Sequence, residues 1–202
     1  MRYPKLRELK EAIKAIIKGP YTLKFPYKPC RVPERFRGKP KFSEKDCVGC
    51  GACAQVCPAK AIDFIDNIDN DTAKATRILT VNWDRCIFCG NCQANCLTER
   101  GITLTTEFDL ATIRERKSLH QEIKKELLLC ENCKNIIAPI DQISWVIKKI
   151  GPLYTSNTFL IAFAQTNLNL GEKILKTKKE FLRSERFSLL CPRCRREVVF
   201  IS

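Results

Sequence analysis

The sequence predicts an α+β fold: a duplicated cysteine-rich centre closed by strands, a basic amphipathic helix before it and a helical four-cysteine module after it. Three observations predict this. Twelve of the 13 cysteines fall in three groups, at 47–57, at 86–96, and in the pairs Cys130/Cys133 and Cys191/Cys194, leaving Cys30 alone. Between the first two groups, Ile62 to Ile65 and Arg77 to Trp83 are rich in β-branched and aromatic residues. The polar stretch DNIDNDTAKAT separates them, so two strands joined by a longer turn are expected. Apolar positions repeat at helical spacing in Leu6, Leu9, Ile13, Ile16 and Ile17, and again in Ile140, Ile143, Ile147 and Ile150.

The formal charge of +14 divides the 202 residues into three parts: 1–43, 44–106 and 107–202. It is +10 over residues 1–45, −2 over 46–106 and +6 over 107–202. In the leader, Lys10, Lys14 and Lys18 flank the apolar stripe of residues 4–18, and Gly19-Pro20 ends the helix. Such a helix can lie on an anionic membrane surface or pack on a protein, and both readings stay open. The proline-rich stretch TLKFPYKPCRVPERFRGKPKF alternates basic and aromatic residues, as expected of an extended docking segment, and Cys30 within it reads as a free thiol.

Composition removes several classes of function. The longest apolar run, Phe159 to Ala164, is far short of the ~18 residues of a membrane span. MRYPKLRELK lacks the apolar core of a secretory signal, so a reducing, cytoplasmic setting is expected, which favours metal ligation over disulfides. His120 is the only histidine, and no nucleophile with a partnered base stands out, so no catalytic residue is assigned. A basic nucleic-acid-binding protein with a zinc-ribbon-like tail is the reading from another class. It leaves the eight central cysteines unexplained, and nucleic acid is not expected as a partner.

The central cysteines form an internal repeat. Cys47, Cys50, Cys53 and Cys57 map onto Cys86, Cys89, Cys92 and Cys96 with an offset of 39, and Gly51 recurs as Gly90. C-x2-C-x2-C-x3-C-P resembles the motif of bacterial-type ferredoxins with two [4Fe-4S] clusters. That resemblance implies crossed ligation: Cys47, Cys50, Cys53 and Cys96 for one cluster, Cys86, Cys89, Cys92 and Cys57 for the other. The spacing agrees, because three cysteines three residues apart wrap one cube and the fourth is too close in sequence to reach back. Leu97 stands where the repeat would carry a second proline, which bears on the helix start and not on the ligands. Zinc knuckles are the alternative, but a closed zinc site does not require a third cysteine at the same spacing.

The tail pairs Cys130/Cys133 and Cys191/Cys194 make a four-thiolate site for Zn2+ or a rubredoxin-like iron, with a structural role expected. Phe187 to Leu190 and Val198 to Ile201 around the second pair predict a strand–knuckle–strand arrangement. A further helix is predicted over about Glu172 to Phe187.

FRGKPKFSEKDCVGCGACAQVCPAKAI with WDRCIFCGNCQANC resembles the two-cluster subunit of formate hydrogenlyases and energy-converting membrane-bound [NiFe] hydrogenases, itself similar to the ferredoxin-like subunit of respiratory complex I. The four tail cysteines point to the hydrogenlyase-type member. The resemblance implies a non-catalytic electron-transfer subunit on the cytoplasmic face of a membrane arm. It would carry electrons from a formate dehydrogenase module or a reduced ferredoxin to the hydrogenase small subunit, with the hydrogenase large subunit and the membrane-arm subunits as further partners. The equivalent subunit of an NADH:quinone-type complex is the close alternative.

Overall fold

The computed structural model describes residues 5–20, 22–69, 74–113, 118–167 and 188–200, with backbone only for 167 and 198–200. The chain divides into two compact units, residues 1–36 and 37–202.

In the first unit, α1 (Leu6–Lys18) forms where the apolar stripe predicts it. The backbone N–H of Lys5 donates to the Glu8 carboxylate at 3.2 Å, satisfying one of the donors that a helix start leaves open. Leu6, Leu9, Ile13, Ile16 and Ile17 are all exposed. Residues 22–36 contain turns and no helix or strand.

The second unit contains two sheets. β1 (Pro40–Phe42) pairs antiparallel with β4 (Ile102–Leu104). β2 (Ile62–Asp69) and β3 (Lys74–Asn82) form the expected hairpin, from Ile62 opposite Val81 to Asp69 opposite Lys74. It is longer than predicted: the polar stretch between the two apolar segments is itself largely strand. The short helices α2 (Ala52–Gln55) and α3 (Asn91–Ala94) follow the third-from-last cysteine of each repeat and carry Cys53 and Cys92 into the interior.

A strand not expected from the sequence, β5 (His120–Leu129), lies against β3, with Ala75 opposite Leu127 and Asn82 opposite His120. β6 (Ile136–Pro139) completes a four-stranded antiparallel sheet in the order β2-β3-β5-β6. The sequence of β5, HQEIKKELLL, hides a clean alternation: Gln121, Ile123, Lys125 and Leu127 point inward while His120, Glu122, Lys124 and Glu126 are exposed. The inward lysine masks the period of two. Ile123 joins Phe42, Ile62, Leu79, Val81 and Ile102 in the core around the buried cysteines, so the tail contributes to the centre's own core.

Beyond the sheet, α4 (Ile140–Ile150) buries Ile143 and Ile147, as its periodicity predicts. A 3-10 turn (Gly151–Ser156) leads to α5 (Thr158–Asn167), whose Phe163 is fully buried with Leu128, Ile147 and Leu189 in a second core. The predicted helix over about 172–187 lies outside the described residues. The expected strand–knuckle–strand is corrected: residues 188–190 are not strand, and α6 (Pro192–Phe200) forms after the second tail pair. Pro192 fits the first helical position, and the N–H of Arg195 donates to the Cys191 carbonyl at 3.0 Å, so the cysteine opens a helix.

Candidate metal centres

The two central repeats fold alike. Gly51 and Gly90 precede α2 and α3 with φ of 77° and 83°, a region side chains disfavour. A Cβ on Gly51 would stand 3.1 Å from the Phe64 ring, and one on Gly90 3.3 Å from Leu104. The turns after the fourth cysteines also match. Lys60 N–H donates to the Cys57 carbonyl at 3.2 Å and Glu99 N–H to the Cys96 carbonyl at 3.0 Å, with Lys60 and Glu99 both at positive φ.

Two cavities result. One is lined by Cys47, Cys50, Cys53 and Cys96 with Phe42, Val48 and Ile102. The other is lined by Cys57, Cys86, Cys89 and Cys92 with Ile62, Ile87 and Leu104. Each gathers three cysteines of one repeat and the last cysteine of the other, and none of the eight is in a disulfide. Burial, then the neighbouring Cys47 and Cys50 sulfurs, pushes the Cys53 thiol up to about 12. Burial raises Cys92 to about 11, against an opposing N–H from Gln93, and also raises Cys47 and Cys86. Thiols crowded into apolar cavities hold their protons until a cation replaces them, which is the donor chemistry of an iron–sulfur site. Cys96 runs the other way. Burial opposes its ionisation, but the Thr98 hydroxyl and the N–H groups of Thr98, Ile102 and Gly101 outweigh it and lower the thiol.

The tail cysteines make a third cluster. The sulfurs of Cys130, Cys133, Cys191 and Cys194 all lie within 4.8 Å of one another. The sulfurs of Cys133 and Cys191 are 3.6 Å apart, too far for a disulfide. Tetrahedral ligands about 2.3 Å from a zinc ion sit about 3.8 Å from each other, so the spacing suits a closed four-thiolate site. The N–H of Cys191 donates to the Cys130 sulfur at 3.3 Å. Burial opposes ionisation of Cys130, yet the N–H groups of Cys191, Cys133 and Asn132 bring it down to about 6. Cys194, whose bond to the Cys133 sulfur favours the protonated form, is pushed up to about 12. The opposite shifts of Cys130 and Cys194 show that the four sulfurs titrate together as one set.

Two cations that sequence reasoning passed over hold the first cavity's loop. Arg77 grips Asp66 through Nε at 2.7 Å and Nη2 at 2.8 Å, while its Nη1 donates to the Gly49 carbonyl at 3.0 Å. Its guanidinium stacks 4.4 Å from the Phe64 ring centre. Lys125 Nζ donates to the Glu44 carbonyl and to Asp141, both at 2.8 Å, tying the loop to β5 and α4. Lys125 carries no local signal, because its inward position is apparent only once β5 is in place. His120 is an exposed strand residue 3.9 Å from Glu122, and Cys30 is a free thiol.

The duplicated fold and its two four-thiol cavities define a two-cluster iron–sulfur protein. Residues 46–100 match the 4Fe-4S dicluster domain. The chain is 32% identical over 132 residues to NADH-quinone oxidoreductase subunit I 2 of Geobacter metallireducens, covering 63% of this chain and 98% of that one. It is 34% identical over 136 residues to formate hydrogenlyase subunit 6 of Escherichia coli, covering 67% of this chain and 72% of the relative. With NAD(P)H-quinone oxidoreductase subunit I of Gloeobacter violaceus the identity is 31% over 105 residues and 51% of this chain, which spans only 49% of that relative. A chain in the structure of the membrane-bound sulfane sulfur reductase, an archaeal respiratory membrane complex, superposes with a TM-score of 0.40 at 29% identity, over 57% of this chain and 60% of that one. The chain belongs to the family of ferredoxin-like 4Fe-4S subunits that includes subunit I of NADH-quinone oxidoreductases and subunit 6 of formate hydrogenlyase. Among the described residues, no helix is long and apolar enough to cross a membrane.

Proposed function

We propose that this chain relays single electrons through two [4Fe-4S] clusters as a peripheral, non-catalytic subunit of a membrane-attached oxidoreductase. Cys47, Cys50, Cys53 and Cys96 hold one cluster, and Cys57, Cys86, Cys89 and Cys92 hold the other. The observation that carries this is the pair of cavities, each lined by one repeat's first three cysteines and the other repeat's fourth. The clusters supply the one-electron chemistry. The protein holds them in apolar walls, fixes their loops through Arg77 and Lys125, and donates hydrogen bonds to their sulfurs.

Residues 44–106 form the relay, 1–43 a docking segment and 107–202 a module that closes on Cys130, Cys133, Cys191 and Cys194. That third site holds Zn2+ in a structural role, with a rubredoxin-like iron as the alternative: four thiols this close leave no open ligand position, and the relay needs no further redox step. The acceptor is the small subunit of a [NiFe] hydrogenase and the donor a formate dehydrogenase module or a reduced ferredoxin, on the cytoplasmic face. The four tail cysteines favour this over an NADH:quinone-type complex, to whose subunit I the chain is otherwise similar to a like degree.

The test is anaerobic purification with metal and sulfide analysis and EPR after reduction. The expected result is about eight irons with matching sulfide plus one zinc per chain, with spin coupling between two reduced clusters. A chain that binds only zinc would overturn the relay. Co-purification with hydrogenase subunits tests the assignment of partners.

A further inference from the structure

The two cluster sites are related by the offset of 39 residues, so each position in one has a counterpart that shows what was changed. The turns after Cys57 and Cys96 share their backbone hydrogen bond and the positive φ of Lys60 and Glu99. Thr98 lines the first cavity and its counterpart Ala59 lines the second. The Thr98 hydroxyl lies 3.5 Å from the Cys96 sulfur. Cys57 instead takes the N–H of Ala61 at 3.2 Å, and alanine offers no hydroxyl. Once Cys96 is a thiolate its sulfur can only accept, so the hydroxyl must donate.

We propose that Thr98 is a positioning residue that sets the two sites apart, raising the reduction potential of the first cluster and biasing the transferred electron towards it. Reduction adds one negative charge to a cluster that its four thiolates already make anionic. A hydrogen bond to a ligand sulfur stabilises that added charge, and so raises the potential. Lys125 and Arg77, donating to the Glu44 and Gly49 carbonyls of the same loop, act in the same sense, although each is partnered by an aspartate. Burial acts in the opposite sense. Val48 in the first loop is buried, whereas its counterpart Ile87 is 62% exposed. Desolvation therefore penalises the added charge more at the first site, and the Thr98 hydroxyl offsets that penalty.

The proposal rests on crossed ligation, and the experiment separates the two. The full chain, loaded anaerobically, is titrated potentiometrically with EPR detection as wild type, Thr98→Val, Thr98→Ser and Ala59→Thr, with iron counted in each. Cys96→Ser and Cys57→Ser assign the two signals. Thr98→Val is expected to lower the first midpoint alone by about 59 mV or more, a tenfold change in electron partition for one electron. Thr98→Ser restores it, and Ala59→Thr raises the second midpoint. An unmoved first midpoint in Thr98→Val with full iron overturns the proposal. Should Thr98→Val lose iron, Ala59→Thr decides: a raised second midpoint supports the proposal and an unchanged one overturns it. A wild-type chain without two clusters would refute the relay itself.

Discussion

Replacing Arg77 by alanine tests whether the first cluster loop is held from the hairpin beneath it. Arg77 is 12% exposed and its partner Asp66 21%, so the pair is screened less than a surface ion pair. The substitution removes two hydrogen bonds to a carboxylate and one to the Gly49 carbonyl. It also removes the stacking on Phe64. Hydrogen bonds to charged groups are each worth about 1.5–3 kcal/mol, and a partly exposed cation–π contact about 0.5–1 kcal/mol. These do not add, because they share one side chain and water reaches part of the pair. About 3 kcal/mol is the expected net loss, compatible with the penalty for stranding a half-buried carboxylate. In a unit of this size each kcal/mol moves the melting temperature by about 2–4 °C, so the loaded chain should melt about 6–12 °C lower. Anaerobic melting followed by cluster absorbance and circular dichroism reads this. Arg77→Lys should fall between, since an ammonium cannot reproduce the fork. Asp66→Asn added to Arg77→Ala should recover part of the loss. A melting temperature within about 2 °C of wild type for Arg77→Ala would refute the clamp.

Three further outcomes follow from the same structure. Phe163→Ala, at a fully buried site between α4 and α5, should cost about 3–5 kcal/mol by denaturant titration, and a loss under 1 kcal/mol would contradict the second core. Cobalt(II) titration of the tail site, read by its thiolate absorption, should show affinity rising with pH. Cys130 is already ionised above about 6, while Cys194 keeps its proton until about 12 and must release it on binding. Each such proton makes affinity about tenfold tighter per pH unit, and affinity independent of pH between 6.5 and 8.5 would contradict this sharing. Lys10, Lys14 and Lys18 changed together to glutamate should weaken binding to anionic vesicles about 100-fold at low salt, since each lysine contributes about 1 kcal/mol near such a surface. Unchanged sedimentation with vesicles would assign α1 to protein packing.

The sequence made the repeat, the hairpin, α1 and α4 legible, because each depends on local spacing: cysteines every third residue, β-branched runs, apolar residues every third or fourth. The grouping of the tail cysteines across 57 intervening residues was legible too, since a four-thiol set needs only its donors. What was not legible depends on long-range contact. Lys125 looks like a surface residue until the Glu44 carbonyl and Asp141 are seen to receive it, and that hid β5. Val198 to Phe200 have strand-forming composition, but Pro192 and the Arg195 N–H bond to Cys191 commit the segment to a helix first. Arg77 carried no local mark, because its importance comes from Asp66 and Gly49 eleven and twenty-eight residues away.

The central claim is the crossing of ligands between the repeats, and the EPR spectrum of reduced Cys57→Ser tests it most directly. Cys57 lies in the first repeat by sequence but in the second cavity by geometry. The expected result is that Cys57→Ser alters the signal that Cys86→Ser alters and leaves the signal sensitive to Cys47→Ser intact. A Cys57→Ser spectrum whose lesion coincides with that of Cys47→Ser would contradict it.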